Sequence, residues 1–261
     1  MQTIKKCSID NIINEPCVII GAPSDALHKL QEEGKLVLCE LKHLQGKTEA
    51  EIEVALQDEP AVWQYKHICI DASALPEEYF ERIWYRHKGE AVVIRETERL
   101  VIRESIPEDA ASFVELYRDA EVRKYVELPA PEKEFGTYYT RQDKVRAYET
   151  YITQYADNHY AFYEYGMWSV VEKKSGNVIG RIGLENQEIS TGKEEIALGY
   201  ALLPEYRGHG YAYEACEAVV DYCIKCGYST TIYVKIDPEN AKSVDLYTKL
   251  HKKCKNILKK L

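Results

Sequence analysis

Apolar positions along the chain alternate between strand-like and helix-like spacing, and the switches mark two regions. In the first, "CVIIGAPS" is a short apolar run closed by turn residues, as expected of a buried strand. "SDALHKLQEEG" follows with helical spacing, Ser24 or Asp25 as N-cap and Gly34 as its stop. "KLVLCEL" and "HICID" predict two more strands. "PEEYFERIWYRHKG" predicts a helix with Pro76 in its first turn and Phe80, Ile83, Trp84 and His87 on one face. This order implies a small, partly parallel sheet, an α/β domain over residues 1–92. Asp71 ends a predicted strand, where α/β folds place site residues, but also where a helix cap or turn belongs.

"HKGEAVVIRETERLVIRE" bridges to a second domain over residues 97–261, opening on the period-2 strand of Leu100 and Ile102. "SIPEDAASFVELYRDAEVRKYV" predicts one helix with Ala110, Phe113, Val114 and Tyr117 as its apolar stripe. "QDKVRAYETYITQYADN" predicts another. Strands are expected at "GMWSVVEK", "VIGRIGLENQEIS", "EEIALGYALL" and "TTIYVKID", with helices after the third strand and after the fourth. Tyr138, Tyr139, Tyr148, Tyr151, Tyr155, Tyr160, Tyr163 and Tyr165 crowd one segment; they either line a pocket or pack a helix on the sheet.

Composition narrows the function classes. A net charge of −9 gives no basic face for nucleic acid, and no apolar run reaches the ~18–20 residues of a membrane span. The start lacks a signal peptide's apolar core, so the eight cysteines are expected as free thiols in a reducing cytoplasm. Cys223 and Cys226 have no second pair at metal spacing; buried thiols are expected, with Cys226 on the apolar stripe and no metal. The histidines form no metal-binding unit.

The sharpest chemistry lies in "LGYALLPEYRGHGYAYEACEAVVDYCIKCG". It fails as a dinucleotide fingerprint, since Tyr213 stands at the third glycine, and it lacks a Walker Gly-Lys-Ser/Thr. What remains is Arg207-x-x-Gly210-x-Ala212 between a strand and a helix. Gly208 and Gly210 let amides face one anion, Ala212 keeps the first turn narrow, and His209 sits inside the turn. The helix N-terminus adds about half a positive charge and Arg207 a full one, which suits a diphosphate.

This pattern resembles the acyl-CoA signature of the GNAT superfamily of N-acetyltransferases. "ERLVIRESIPEDAASFVELY", "GMWSVVEKKSGNVIGRIGL" and "IDPENAKSVDLYTKL" extend the resemblance to the ribosomal-protein N-terminal acetyltransferase branch, over residues 97–250 in order. It implies a mixed, mostly antiparallel sheet flanked by helices, beside the smaller N-terminal Rossmann-like domain. It further implies an acyltransferase that moves acetyl from acetyl-CoA to a primary amine, a small amine or a peptide N-terminus. A catalytically weak CoA-binding module is the alternative.

By resemblance, the cofactor lies against Leu202, Leu203, Arg207, Gly208, His209, Gly210, Tyr211 and Ala212, with Asn240 and Ser243 on its amide arm. Tyr247 falls where the family places the acid for the leaving thiolate. The family's glutamate before Gly-Tyr is Ala197 here, which leaves Glu195, two residues earlier on the same strand face, or Glu185 on the neighbouring strand as the base. The family's closing Gly-Phe and strand are replaced by "LHKKCKNILKKL", which supplies no obvious strand. The acceptor side is then open, or filled by a partner subunit in a homodimer. The first 90 residues loosely resemble a haloacid-dehalogenase-like fragment without its Asp-x-Asp pair, and are expected to be structural or regulatory.

Overall fold

The computed structural model describes residues 4–12, 17–134, 139–189 and 192–261. The chain divides into two compact units, Met1–Glu90 and Ala91–Leu261.

In the first unit, strands β1 (Lys5–Ser8), β2 (Cys17–Gly21), β3 (Val37–Glu40) and β4 (Ile68–Cys69) form a sheet in that order, every neighbour parallel. Helices α1 (Asp25–Glu32), α2 (Glu49–Asp58) and α3 (Glu77–His87) complete it. Ser24 caps α1 by accepting from the Leu27 amide, and Gly34 takes up the left-handed turn beyond the helix at φ 79°. Two apolar clusters hold the unit, one around Ile19, Leu27 and Leu44, the other around Leu38, Phe80 and Ile83. Asp71 is a cap: its carboxylate accepts from the Ser73 amide and from Gln45 Nε2.

The second unit runs β5 (Val93–Glu96), β6 (Leu100–Arg103), α4 (Ala110–Arg118), α5 (Ala120–Tyr125), α6 (Ala130–Glu134), α7 (Arg141–Tyr155) and α8 (Ala161–Tyr163). It continues with β7 (Met167–Glu172), β8 (Val178–Glu188), β9 (Glu194–Leu202), α9 (Tyr211–Lys225), β10 (Ile232–Val234), α10 (Ala241–Lys253) and β11 (Leu258–Lys260). Its strands make one sheet in the order β11-β10-β9-β8-β7-β6-β5. From β5 to β9 every pairing is antiparallel, whereas β10 is parallel to both β9 and β11. This is the mixed, mostly antiparallel α/β fold anticipated from the motifs.

The sheet buries its two faces in separate cores. Trp168, Val170, Ile182, Leu184, Leu198 and Leu202 pack against Cys216, Val219 and Val220 of α9. On the other face Ala201 packs with Phe113, Val114 and Tyr117 of α4 and Tyr148 and Ile152 of α7.

Three local expectations are corrected. The predicted single helix is broken at Asp119, which is extended (φ −66°, ψ 127°) and caps α5 by accepting from the Val122 amide. The C-terminal tail does supply a strand: Leu258 pairs with Ile232, so β11 closes the edge of β10 from within the chain. On α9 it is Cys223 that is buried, with burial raising its thiol pKa to about 11, while Cys226 is exposed just past the helix. No helix among the described residues is long and apolar enough to cross a membrane.

Candidate active site

The Gly-rich turn has the backbone that its sequence requires. Gly208 and Gly210 are left-handed at φ 80° and 83°, and Gly210 is the N-cap of α9. The amides of residues 208–213 make no hydrogen bond among the described residues. They crown a 15-residue helix whose dipole favours negative charge at this end. The arrangement fits a diphosphate.

The side chain of the expected cation, Arg207, is engaged within the protein. Arg207 turns away: its Nη2 lies 2.7 Å from Asp119, its Nη1 3.3 Å from Glu121, and its Nε donates to Leu202 O at 2.9 Å. It clamps the end of β9 to the head of α5. Arg99 also reaches the turn, with its Nε donating to Glu214 at 2.7 Å. Its Nη1 donates to His209 O at 2.9 Å, its Nη2 is 2.6 Å from Glu214, and its guanidinium lies 4.5 Å over the Tyr211 ring. The His209 ring stacks on Tyr211, whose hydroxyl donates to Glu172. Because charge-assisted bonds contribute about 1.5–3 kcal/mol, Arg99→Met is expected to weaken coenzyme A binding about tenfold or more, most at low salt. Calorimetric titration checks this; an unchanged Kd removes Arg99 from the site.

Beyond the turn the sheet forks. β8 and β9 pair along their whole length, but β9 meets β10 only at Ala197 and Tyr233. Beyond that one position the two parallel strands share no further pairing, the kind of opening at which an extended ligand arm can add as a strand. The groups expected to receive it are partly committed. Leu203 N–H donates to Ile179 O, Leu203 O accepts from Tyr206, and Leu202 O accepts from Arg207. Leu203 is therefore satisfied by the protein itself.

Glu185 stands directly opposite Ala197 in the β8–β9 ladder, whereas Glu195 is opposite Gln187 at the outer end. Residues opposed in an antiparallel pair share a face, so the Glu185 carboxylate occupies the side on which the family's glutamate would project. It is exposed at the surface, although neighbouring protein partly desolvates the carboxylate. This desolvation raises its pKa above the usual carboxylate range; Arg181 opposes the shift and Glu127 adds to it. Glu195 is half-buried, less exposed than Glu185.

On α10, Asn240 is the N-cap, accepting from the Ser243 amide at 3.2 Å, which leaves its side-chain NH₂ without a partner among the described residues. The Ser243 hydroxyl is 2.9 Å from Tyr200 Oη and so is engaged within the protein. Tyr247 is half-buried two turns along; its hydroxyl is 3.4 Å from His251 Nδ1, and the two rings stack. Several of the crowded tyrosines pack into the cores of the unit. Tyr148 and Tyr160 are fully buried, donating to Glu132 and to Met167 O, and Tyr151 is half-buried. Tyr138 lies outside the described residues.

The amide-lined helix start thus lies next to the end of β9, with Glu185 on β8 and Tyr247 on α10. Residues 99–253 match the family described as the acetyltransferase (GNAT) domain, and the chain belongs to that family. It is 28% identical over 154 residues to the uncharacterized N-acetyltransferase p20 of Bacillus licheniformis, which covers 59% of this chain and 79% of that protein. Among solved structures, the GNAT-family acetyltransferase from Bacillus anthracis is 24% identical, covering 59% of this chain and 80% of its own, with a TM-score of 0.44. The ribosomal-protein-S5-alanine acetyltransferase from Vibrio fischeri is 18% identical over 60% of this chain and 80% of its own, with a TM-score of 0.47. Membership of that family makes the protein an acetyltransferase enzyme, and acetyl-CoA is the co-substrate typical of the family. The family match lies wholly within the second unit.

Proposed function

We propose that the enzyme acetylates a primary amine, a small amine or a peptide N-terminus, by direct attack on the thioester with Glu185 as the base. The observation that carries this reading is the register that sets Glu185 across from Ala197. An alkylammonium has a pKa near ~10 and must lose a proton before it can attack. A carboxylate whose pKa is raised by partial desolvation is better matched to accept it than an ordinary one.

The residues then take consecutive roles. The free amides of the Gly208–Gly210 turn, with Arg99, hold the diphosphate, and the Asn240 amide meets the arm at the fork. A backbone N–H of β9 receives the developing oxyanion. Glu185 takes one proton from the ammonium, the neutral amine nitrogen then bonds to the carbonyl carbon, and the second proton on that nitrogen leaves to water as the amide forms. The carbon–sulfur bond breaks, and the Tyr247 hydroxyl protonates the departing thiolate. We assign the first unit a structural or regulatory role; Asp71, its one strand-end candidate, is occupied as a cap.

Incubation with acetyl-CoA and a library of amines and peptides, following thiol release, tests the reading. Tyr247→Phe is expected to lower kcat about 10- to 100-fold with KM for acetyl-CoA little changed, because a thiolate already leaves readily. If no acceptor is consumed while acetyl-CoA still raises Tm, a CoA-binding module replaces this reading.

A further inference from the structure

The first unit holds a pair of thiols that the acetyl-transfer chemistry does not use. Cys7 lies on β1 and Cys17 on β2, and their parallel register sets Cys7 beside Ile19 and Cys17 beside Lys5. Positions two apart on a strand share a face, so the two cysteines are diagonal neighbours on one side of the sheet. Their sulfurs are 2.8 Å apart, in hydrogen-bond contact, and Cys7 Sγ also lies 3.9 Å from Val18 O. Both pack in the apolar cluster around Ile19, Leu27 and Leu44. Cys17 is buried there, whereas Cys7 is half-buried and open to small solutes.

The neighbouring thiols of the same sheet are less reactive. Desolvation pushes Cys39 up to about 11 and Cys69 up to about 12, which suppresses the thiolate that oxidation needs. Beside Cys17 the register places Lys5, a cation of the kind that favours a thiolate. A disulfide has an S–S bond of about 2.05 Å, so the Cys7 and Cys17 sulfurs need to close by only about 0.8 Å. β1 is the outer strand of its sheet and is paired only with β2, so it can shift to allow this.

We propose that Cys7 and Cys17 are a redox modification site, oxidised by a peroxide to a reversible disulfide that pins the edge strand. The Cys7 thiolate attacks one peroxide oxygen; the O–O bond breaks, and the departing hydroxide takes up a proton as water. Cys7 is left as a sulfenic acid. The Cys17 thiolate then attacks Cys7 Sγ, the S–O bond breaks, and the second hydroxide leaves as water with the proton Cys17 gave up. The two thiols together lose two electrons and two protons, and hydrogen peroxide is reduced to two waters. The bond joins residues ten positions apart and ties β1 to β2 covalently. This site is independent of the acetyl-transfer reading, and neither test bears on the other.

Mass spectrometry of the full chain, treated with hydrogen peroxide and then alkylated, tests the proposal. The expected product is a monomer about 2 Da lighter, with one peptide cross-link joining Cys7 to Cys17, and dithiothreitol is expected to restore both thiols. Hydrogen exchange over Lys5–Ser8 is expected to slow about tenfold or more on oxidation, because fraying of the edge strand is then blocked. Cys17→Ser removes the resolving thiol, so Cys7 is expected to accumulate as a sulfenic acid that dimedone traps. The unaltered chain reads the cross-link whether or not that variant folds. The proposal is overturned if peroxide leaves both cysteines open to alkylation, or takes Cys7 of the unaltered chain on to sulfinic acid. A cross-link from either residue to another cysteine or a second chain overturns it equally, and an unchanged exchange rate in the cross-linked protein overturns the pinning of β1.

Discussion

Replacing Glu185 by Gln is expected to lower kcat/KM for amine acceptors by about 10²- to 10⁴-fold, the usual contribution of a positioned general base. Coenzyme A affinity is expected to stay within about twofold, since the diphosphate turn lies on another element. Glu195→Gln is the control. It sits two residues farther along β9, opposite Gln187 rather than at the fork, and is expected to change kcat/KM less than threefold. The pH profile carries the sign. Partial desolvation raises the Glu185 pKa, so the base is already protonated at a pH where an ordinary carboxylate is still ionised. The acidic limb of kcat/KM is therefore expected above the ordinary value of about 4.3, with activity falling as pH drops through it. Arg181 favours the ionised form, so Arg181→Met is expected to move the limb to higher pH; Glu127, which disfavours it, predicts the opposite shift for Glu127→Gln. A limb at the ordinary position, or equal losses in the Glu185 and Glu195 variants, rules out this assignment.

Much of this architecture is written in local pattern. The turn before α9 needed only its two glycines and the helical period behind them, and both glycines are left-handed as a narrow anion turn demands. The strands around the fork were legible because their apolar faces are buried on both sides of the sheet. Elements stabilised by pairing rather than by their own pattern were not. β1 reads "KKCS" and β11 "LKK", neither of which alternates, and each becomes a strand only beside β2 or β10. α2 buries no residue, so its apolar positions gave no stripe to follow. Long-range charge pairing was also hidden. Arg207 had the correct position in the motif, but Asp119, 88 residues away, captures its guanidinium. Arg99 meets the turn from 110 residues away, with no spacing rule to announce it. Arg181 was likewise unreadable, since a lone Arg in an apolar strand does not declare its burial.

Asp109→Ala is expected to destabilise the second unit by about 3–5 kcal/mol, the typical cost of removing one member of a buried ion pair. The Asp109 carboxylate is 3% exposed and meets the Arg103 fork with two bonds of 2.7 Å. It also accepts from Ser169 Oγ at 2.6 Å and from the Ile106 amide at 3.1 Å. One side chain thus joins β6, β7 and the entry to α4, the helix that carries Phe113 and Tyr117 over Arg181. Its loss leaves the Arg103 charge and the Ser169 hydroxyl short of partners in a region little open to water, and neither can be rehydrated without opening the helix start. Denaturant unfolding followed at the tryptophans of each unit reads the change in midpoint. The double change Arg103→Met with Asp109→Leu is expected to be less destabilising than Asp109→Ala alone, because it removes both charges and restores apolar contact. Where the double variant loses as much as the single, the cost lies in the Ser169 and Ile106 bonds rather than in the stranded charge. A single-variant loss below about 1 kcal/mol would mean that water or a neighbouring donor replaces the carboxylate. In that case α4 owes its seat to Phe113 and Val114 alone.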